Sequence, residues 1–322
     1  MPAKEDLLMY PFGTPTRRDI LKATAGLAFA TTATAAAPHA SIIDTHTHFY
    51  DPTRPEGVPW PGKDDAVLYR KVLPAEYKAL AKPLGITGAV VVEASPRVED
   101  NQWLLDLAGD EPFVLGVVGR LIPSDADFGK HLARFAKNPL FRGIRISSAE
   151  LQHALKDAAE RDRLKALGEA GLTLDVNGGP ELLPVVAELS SALPKLSIVT
   201  NHMANVVIDG GPPPPDWVKG LKAAAAGKHV WCKLSALVEG TQKRQQKAPT
   251  NVAFYQPVVD AVWDAFGADR LMFGSNWPVS EHFATLPTVY RLAAEYVKAK
   301  GEGAVAKVFG ENAKAAYRLK RE

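Results

Sequence analysis

Eight short runs of β-branched and apolar residues, each followed by a stretch of helical character, predict a distorted (β/α)8 TIM barrel. Two further observations support it. Several runs, such as Ala89-Val90-Val91-Val92, are apolar without alternation, as expected of parallel strands buried on both faces. The long inserts begin just past the predicted strand ends, where barrels of this kind build their sites. A chain of 322 residues, 46% hydrophobic, suits one large domain with a full core.

Before the barrel lies a leader. Residues 16–22 read Thr-Arg-Arg-Asp-Ile-Leu-Lys, an Ala/Thr-rich, weakly apolar run follows to Ala37, and Ala-Pro-His-Ala precedes Ser41. This resembles a twin-arginine export signal over residues 1–40, with the barrel domain over 41–322. It predicts passage through the twin-arginine export machinery to the periplasm. The apolar run is too short to span a membrane, which takes about 20 apolar residues, and no membrane span is expected in the mature form.

The strands are predicted at residues 41–46, 88–93, 113–119, 141–146, 172–176, 196–201, 229–234 and 270–275. Helical stretches lie between them, for example at 99–108, 151–170, 181–192 and 257–266. Three inserts break the rhythm: 49–70, rich in Pro, Asp and Gly; 210–215, with four consecutive prolines; and the polar 239–251. All three are read as loops enclosing a substrate. The net charge of +2 and the lack of a basic cluster interleaved with aromatics give no support to nucleic-acid binding. Cys232 is the only cysteine, so an intrachain disulfide and a cysteine-based metal site are excluded. It is expected to pack in its apolar strand. The oligomeric state is left open.

The first strand ends in Asp44-Thr45-His46-Thr47-His48. Regular alternation places Asp44, His46 and His48 on one face. If that face is the lumen, two imidazoles converge at the barrel mouth and suit a zinc-type divalent ion. Asp44 is read as a partner of an imidazole N–H rather than as a ligand.

Further along come His202 in Thr-Asn-His-Met, Trp231-Cys232-Lys233-Leu234-Ser235, Met272-Phe273-Gly274-Ser275-Asn276-Trp277-Pro278 and Phe309-Gly310-Glu311-Asn312-Ala313 with Tyr317. Together with His46 and His48 they resemble the amidohydrolase-related branch of the amidohydrolase superfamily. The likeness is to its lactonase-type group, which includes 2-pyrone-4,6-dicarboxylate and sugar-acid lactonases.

The resemblance implies a hydrolase that opens a small, anionic lactone with an activated water. His46, His48 and His202 would bind the ion or polarise the lactone carbonyl. The strand-eight position would carry an Asp as general base, but here it is Asn276, and an amide cannot take up a proton near neutral pH. Asn276 could still orient a water or a carbonyl. Strand five offers no His or Lys, which argues against a two-metal site.

Glu93, at the end of strand two, is the candidate replacement carboxylate. The expected ligand set is therefore His46, His48, His202 and Glu93 around one zinc-type ion, with a metal-independent variant as the alternative. Arg120 and Arg145 are the candidate substrate cations. Lys233 and Trp277 are further candidates to touch the substrate, and Tyr50, Trp60 and His282 lie on loops at the same end. Two other functions remain open: a decarboxylase or hydratase of a small unsaturated or aromatic acid, and a catalytically impaired periplasmic binding barrel.

Overall fold

The structure, a computed structural model, describes residues 41–320; residues 1–40, where the export signal is expected, lie outside the described residues. Eight parallel strands follow one another around a single sheet: β1 (Ile42–Thr47), β2 (Ile86–Val92), β3 (Val114–Gly119), β4 (Phe141–Ser147), β5 (Thr173–Asn177), β6 (Ser197–Thr200), β7 (Val230–Leu234) and β8 (Leu271–Phe273). Sequential order with a helix in every crossover is that of a (β/α)8 barrel, as expected.

The helices form by familiar local signals. Ser147 starts Ser148–Lys156 with a capping box through Glu150. Proline opens Pro74–Ala81, Pro215–Ala225 and Leu286–Lys298 in their first turns. No helix among the described residues is long and apolar enough to cross a membrane.

The core has two layers. Alternate strand residues such as Val91, Val117 and Ile144 pack outward against the helices. Ile43, Val90, Leu115, Val199 and Met272 form a separate buried cluster with Ala313, Ala316 and Tyr317 of the helix Asn312–Tyr317. That helix stacks on the inner residues of the barrel.

The barrel closes without a full β8–β1 ladder. Thr45 Oγ1 donates to the carbonyl of Phe273 at 2.7 Å. The amide of Asn276 donates to the carbonyl of His46 at 2.8 Å, and that of His48 to the carbonyl of Trp277 at 2.9 Å. These bonds join β1 to the end of β8 and the loop after it, and so set the histidine pair beside Asn276.

Regular alternation does not hold along β1. Its pairing with β2 shifts register between Asp44 and Thr47. Ile43 lies in the inner cluster, so Asp44 turns outward and accepts a 2.5 Å hydrogen bond from Tyr77 on Pro74–Ala81. Asp44 also accepts from the amides of His46 and Ser275. It therefore does not share a face with His46 and His48. It is a structural anchor that ties β1 to the turn after β8.

Candidate active site

The ends of the strands surround a cavity of about 580 Å³. His48, Glu93, Arg120, Arg145, His202 and Asn276 all line it. His46 lies fully buried beside them, its ring centroid 5.0 Å from that of His48 and 4.2 Å from that of His202. Residues from the ends of six strands, β1, β2, β3, β4, β6 and β8, thus meet at one mouth, as the sequence predicts.

The backbone there is unusual. His202, Met203, Ala204 and Asn205 follow β6 with positive φ, and Ala236 and Asn276 do the same after β7 and β8. Non-glycine residues in the left-handed region cost energy and persist where the surrounding structure holds them. The loops after β6, β7 and β8 all adopt it where they present side chains to the cavity.

The three imidazoles are uncharged. Burial first, and then the ammonium of Lys233, hold His46 well below its ordinary range. Burial, with Arg145 adding to it, lowers His48 to about 3. His202 is held well below its range by burial and Lys233.

Their ring nitrogens have distinct duties. His48 Nδ1 meets the carbonyl of Val92 at 2.9 Å, so it carries the proton and leaves Nε2 as an acceptor. His202 Nδ1 bonds Ser235 Oγ at 2.8 Å. His46 Nδ1 lies 3.2 Å from Lys233 Nζ. An ammonium can only donate, so this Nδ1 accepts and the imidazole proton sits on Nε2. That Nε2 is buried and has no hydrogen-bond partner.

Lys233 is fully buried and pairs with Asp175 on β5 at 2.7 Å. Burial pulls its ammonium down, and Asp175 opposes this. Tyr317 donates to the same carboxylate at 2.9 Å. The sequence offers Lys233 as a substrate contact. Its position corrects this: it lies behind His46, outside the cavity lining, and acts on the imidazole.

Glu93 lines the cavity, but its carboxylate is already engaged. Oε1 accepts from Arg145 Nε at 2.9 Å, Oε2 accepts from the Ser95 amide at 2.9 Å, and Arg145 also donates to the Glu93 carbonyl. The expected four-ligand set is therefore not formed. Among the described residues, no group of three or more His, Cys, Asp or Glu side chains is disposed to hold a metal ion. The chemistry of the donors agrees: His46 offers an N–H in place of a lone pair, and Glu93 is held by a guanidinium.

The substrate cations are also engaged. Arg145 holds Glu93, and Arg120 pairs with Glu150 at 2.5 Å and donates to the Arg145 carbonyl. Arg244, in the insert after β7, lines the cavity as well. It stands over the Phe283 ring at 5.8 Å and is the cavity-lining guanidinium without an ion pair among the described residues.

Trp277 is fully buried and outside the cavity lining; its Nε1 donates to Glu281. It packs beneath the loop, which corrects the expectation of a substrate contact. Trp60 does line the cavity, whereas Tyr50 bonds the Leu68 carbonyl and His282 pairs with Asp65. No residue of the insert 210–215 lines the cavity. Cys232 is buried, and burial pushes its thiol up to about 12.

One residue that sequence reasoning passed over is Glu239, which lines the cavity just after β7. Its Oε1 accepts from Asn276 Nδ2 at 2.9 Å, and burial pushes the carboxyl up to about 7. The available signal was its place as the first residue of the polar insert after a barrel strand.

The amidohydrolase family profile matches residues 43–319. An L-fucono-1,5-lactonase from Burkholderia ambifaria is 32% identical, covering 87% of this chain and 96% of its own. Another, from Burkholderia multivorans, is 27% identical, covering 80% of this chain and 89% of its own. Among solved structures, an amidohydrolase from Burkholderia multivorans superposes with a TM-score of 0.79 at 26% identity. It covers 87% of this chain and 100% of its own, and it has been determined with bound HEPES and with bound zinc.

Proposed function

The chain belongs to the amidohydrolase family, and from that premise we propose that it is a hydrolase that opens a small lactone, with an L-fucono-1,5-lactone-like sugar lactone as the first candidate. Two relatives bearing that name support the ring type. The observation that carries the reading is the unpaired Nε2 of His46, deep at the barrel mouth and backed by Lys233.

In this reading the lactone carbonyl lies over the imidazole cluster, with its oxygen toward His46 Nε2–H. Water attacks the carbonyl carbon and negative charge builds on that oxygen. A pre-placed N–H, polarised by the lysine behind it, stabilises the charge with little reorganisation. His48, lowered to about 3, is too weakly basic to take the water's proton near neutral pH. Trp60 and Arg244 line the cavity, and Arg244 is the cation available to an anionic ring substituent.

The test is proton release from purified protein against a panel of aldonolactones, pyrone carboxylates and muconolactones, followed with a pH indicator. Turnover of sugar lactones is expected. No acid release from any of them overturns the reading, and carbon dioxide release from an aromatic acid would favour a decarboxylase.

The zinc in the Burkholderia multivorans structure favours a second reading, in which a divalent ion, zinc first, sits among His46, His48 and His202. It requires Lys233 to lose its proton, so that His46 can present a lone pair. About one metal per chain by elemental analysis, with turnover lost on chelation and restored by zinc, would support it. Turnover that survives complete chelation would remove it.

We further propose that residues 1–40 direct export to the periplasm by the twin-arginine route, on the strength of Arg17-Arg18 and the mild apolar run after them. Fractionation should place the shortened chain in the periplasm. The full-length chain in the cytosol would contradict it.

A further inference from the structure

We propose that Glu239 is the general base of the hydrolysis, held in place by Asn276. The inference rests on the lactonase reading and names the proton acceptor which that reading lacks. The other candidates are occupied or unsuited. Glu93 has both oxygens engaged by Arg145 and Ser95. Asn276 is an amide, and the Nδ1 atoms of His46, His48 and His202 are engaged by Lys233, the Val92 carbonyl and Ser235.

Glu239 meets the geometric requirements. It lines the same cavity as His48 and His202. Its Oε1 is fixed by Asn276 Nδ2 at 2.9 Å. Its Oε2 is buried with no hydrogen-bond partner. A buried carboxylate oxygen without a donor is costly, and such an orphan calls for an explanation. A water bound between Oε2 and the lactone would supply the missing donor.

Asn276 is suited to the positioning role. It sits beside His48 as well as Glu239, and its left-handed backbone, φ 57°, turns its side chain toward both. An amide here leaves the neighbouring carboxylate as the single acid of the pair, whereas two adjacent carboxylates would share a proton.

The steps balance. The Glu239 carboxylate takes one proton from water as the water oxygen bonds to the carbonyl carbon. The carbonyl electron pair moves onto oxygen, next to His46 Nε2–H. The intermediate collapses, the ring C–O bond breaks, and the departing alkoxide takes the proton back from Glu239. The hydroxy acid then ionises and releases one proton to solvent.

The environment suits a base working near neutrality. Burial raises the carboxyl to about 7, with the Asn276 hydrogen bond opposing that rise. Tyr255, on the helix Val252–Phe266, senses its charge. Asn276 faces it from the loop after β8, and Arg244 and His202 share its cavity.

The experiment compares wild type, Glu239→Gln, Glu239→Ala and Glu239→Gln/Asn276→Asp on one lactone that the wild type opens. Glu239→Gln should lower kcat by about 10²-fold or more with KM within a few fold. It should also abolish the acid limb of the kcat/KM profile, which lies near pH 7 in the wild type. Formate should restore turnover to Glu239→Ala, because a small carboxylate can occupy the vacated place. The double variant should recover about tenfold or more, with its limb moved toward the ordinary aspartate range.

A packing role would give lowered stability, no formate rescue and an unmoved limb, and that result overturns the proposal. So does a Glu239→Gln enzyme within threefold of wild type. If the Gln variant does not fold, rescue of the Ala variant and the wild-type limb decide the matter. A wild type that opens no lactone defeats the lactonase reading, and this role with it. An active wild type with an indifferent Glu239 defeats this role alone.

Discussion

Lys233 shows how one buried charge sets the chemistry of a neighbour. Its ammonium and the Asp175 carboxylate are both fully buried, so each depends on the other for solvation. Removing one partner of such a pair leaves an uncompensated charge, at a cost of about 3–5 kcal/mol. Lys233→Met should destabilise the protein by that amount in urea unfolding, since only the uncharged hydroxyls of Tyr317 and Thr173 then face Asp175. Lys233→Met/Asp175→Leu should recover most of the stability and none of the activity, because His46 no longer has a donor on Nδ1. Recovery of turnover in the double variant would show that the lysine serves the fold alone. The same reasoning separates Arg145 from a substrate anchor: its guanidinium is committed to Glu93.

At the level of elements, close approach between neighbouring strands limits which side chains the barrel accepts. Gly143 on β4 pairs with Thr173 on β5, and a Cβ at Gly143 would collide with Thr173 side chain and backbone. Gly143→Ala must push the two strands apart. Overpacking of this kind costs about 1–3 kcal/mol. The loss should appear in the urea midpoint, and turnover at low temperature should persist if the mouth keeps its shape. A midpoint equal to wild type would mean that β4 and β5 relax without cost. The irregularity in β1 has the opposite character, since it is built in. It sends Asp44 outward to Tyr77 and brings His46 and His48 inward, and the anchor and the site both depend on it.

For the whole molecule, burying three neutral imidazoles couples the fold to acid. An imidazole depressed in the folded state binds its proton more readily when unfolded, so stability is full above about pH 6.5 and falls as pH drops below it. For His48, lowered to about 3, the loss at pH 5 is about 2 kcal/mol. His46 and His202 act in the same direction. Glu239, raised to about 7, works the other way, because its neutral form is favoured in the folded state. Asp44, also raised by burial, works with Glu239, and His229, lowered by burial, works with the three imidazoles, so the histidines leave a net loss. The melting temperature should fall from pH 7.5 to pH 5, and a melting temperature that rises over that interval would contradict the neutral cluster. The barrel closure adds to this sensitivity, because backbone bonds from His46 and His48 to the loop after β8 take the place of a continuous ladder.

The architecture was legible because it is a local property repeated eight times. Apolar runs such as 89–92 and the helix starts at Ser147 and Pro215 carry their signals within a few residues. Strand-end position likewise pointed to His46, His48, His202, Glu93 and Asn276, all of which the fold brings to one mouth. Partner choice was not legible. Glu93 meets Arg145 from 52 residues away, and Lys233 meets His46 from 187. Those distances make a candidate ligand into half of an ion pair, and a candidate substrate contact into the group that sets a tautomer. Glu239 was hidden for the same reason. A glutamate that opens a polar insert reads as solvated until the helix Val252–Phe266 and the loop after β8 close over it. Periodicity reports which face a residue takes. Burial and pairing, which set charge and basicity, arise only when distant segments exclude water together.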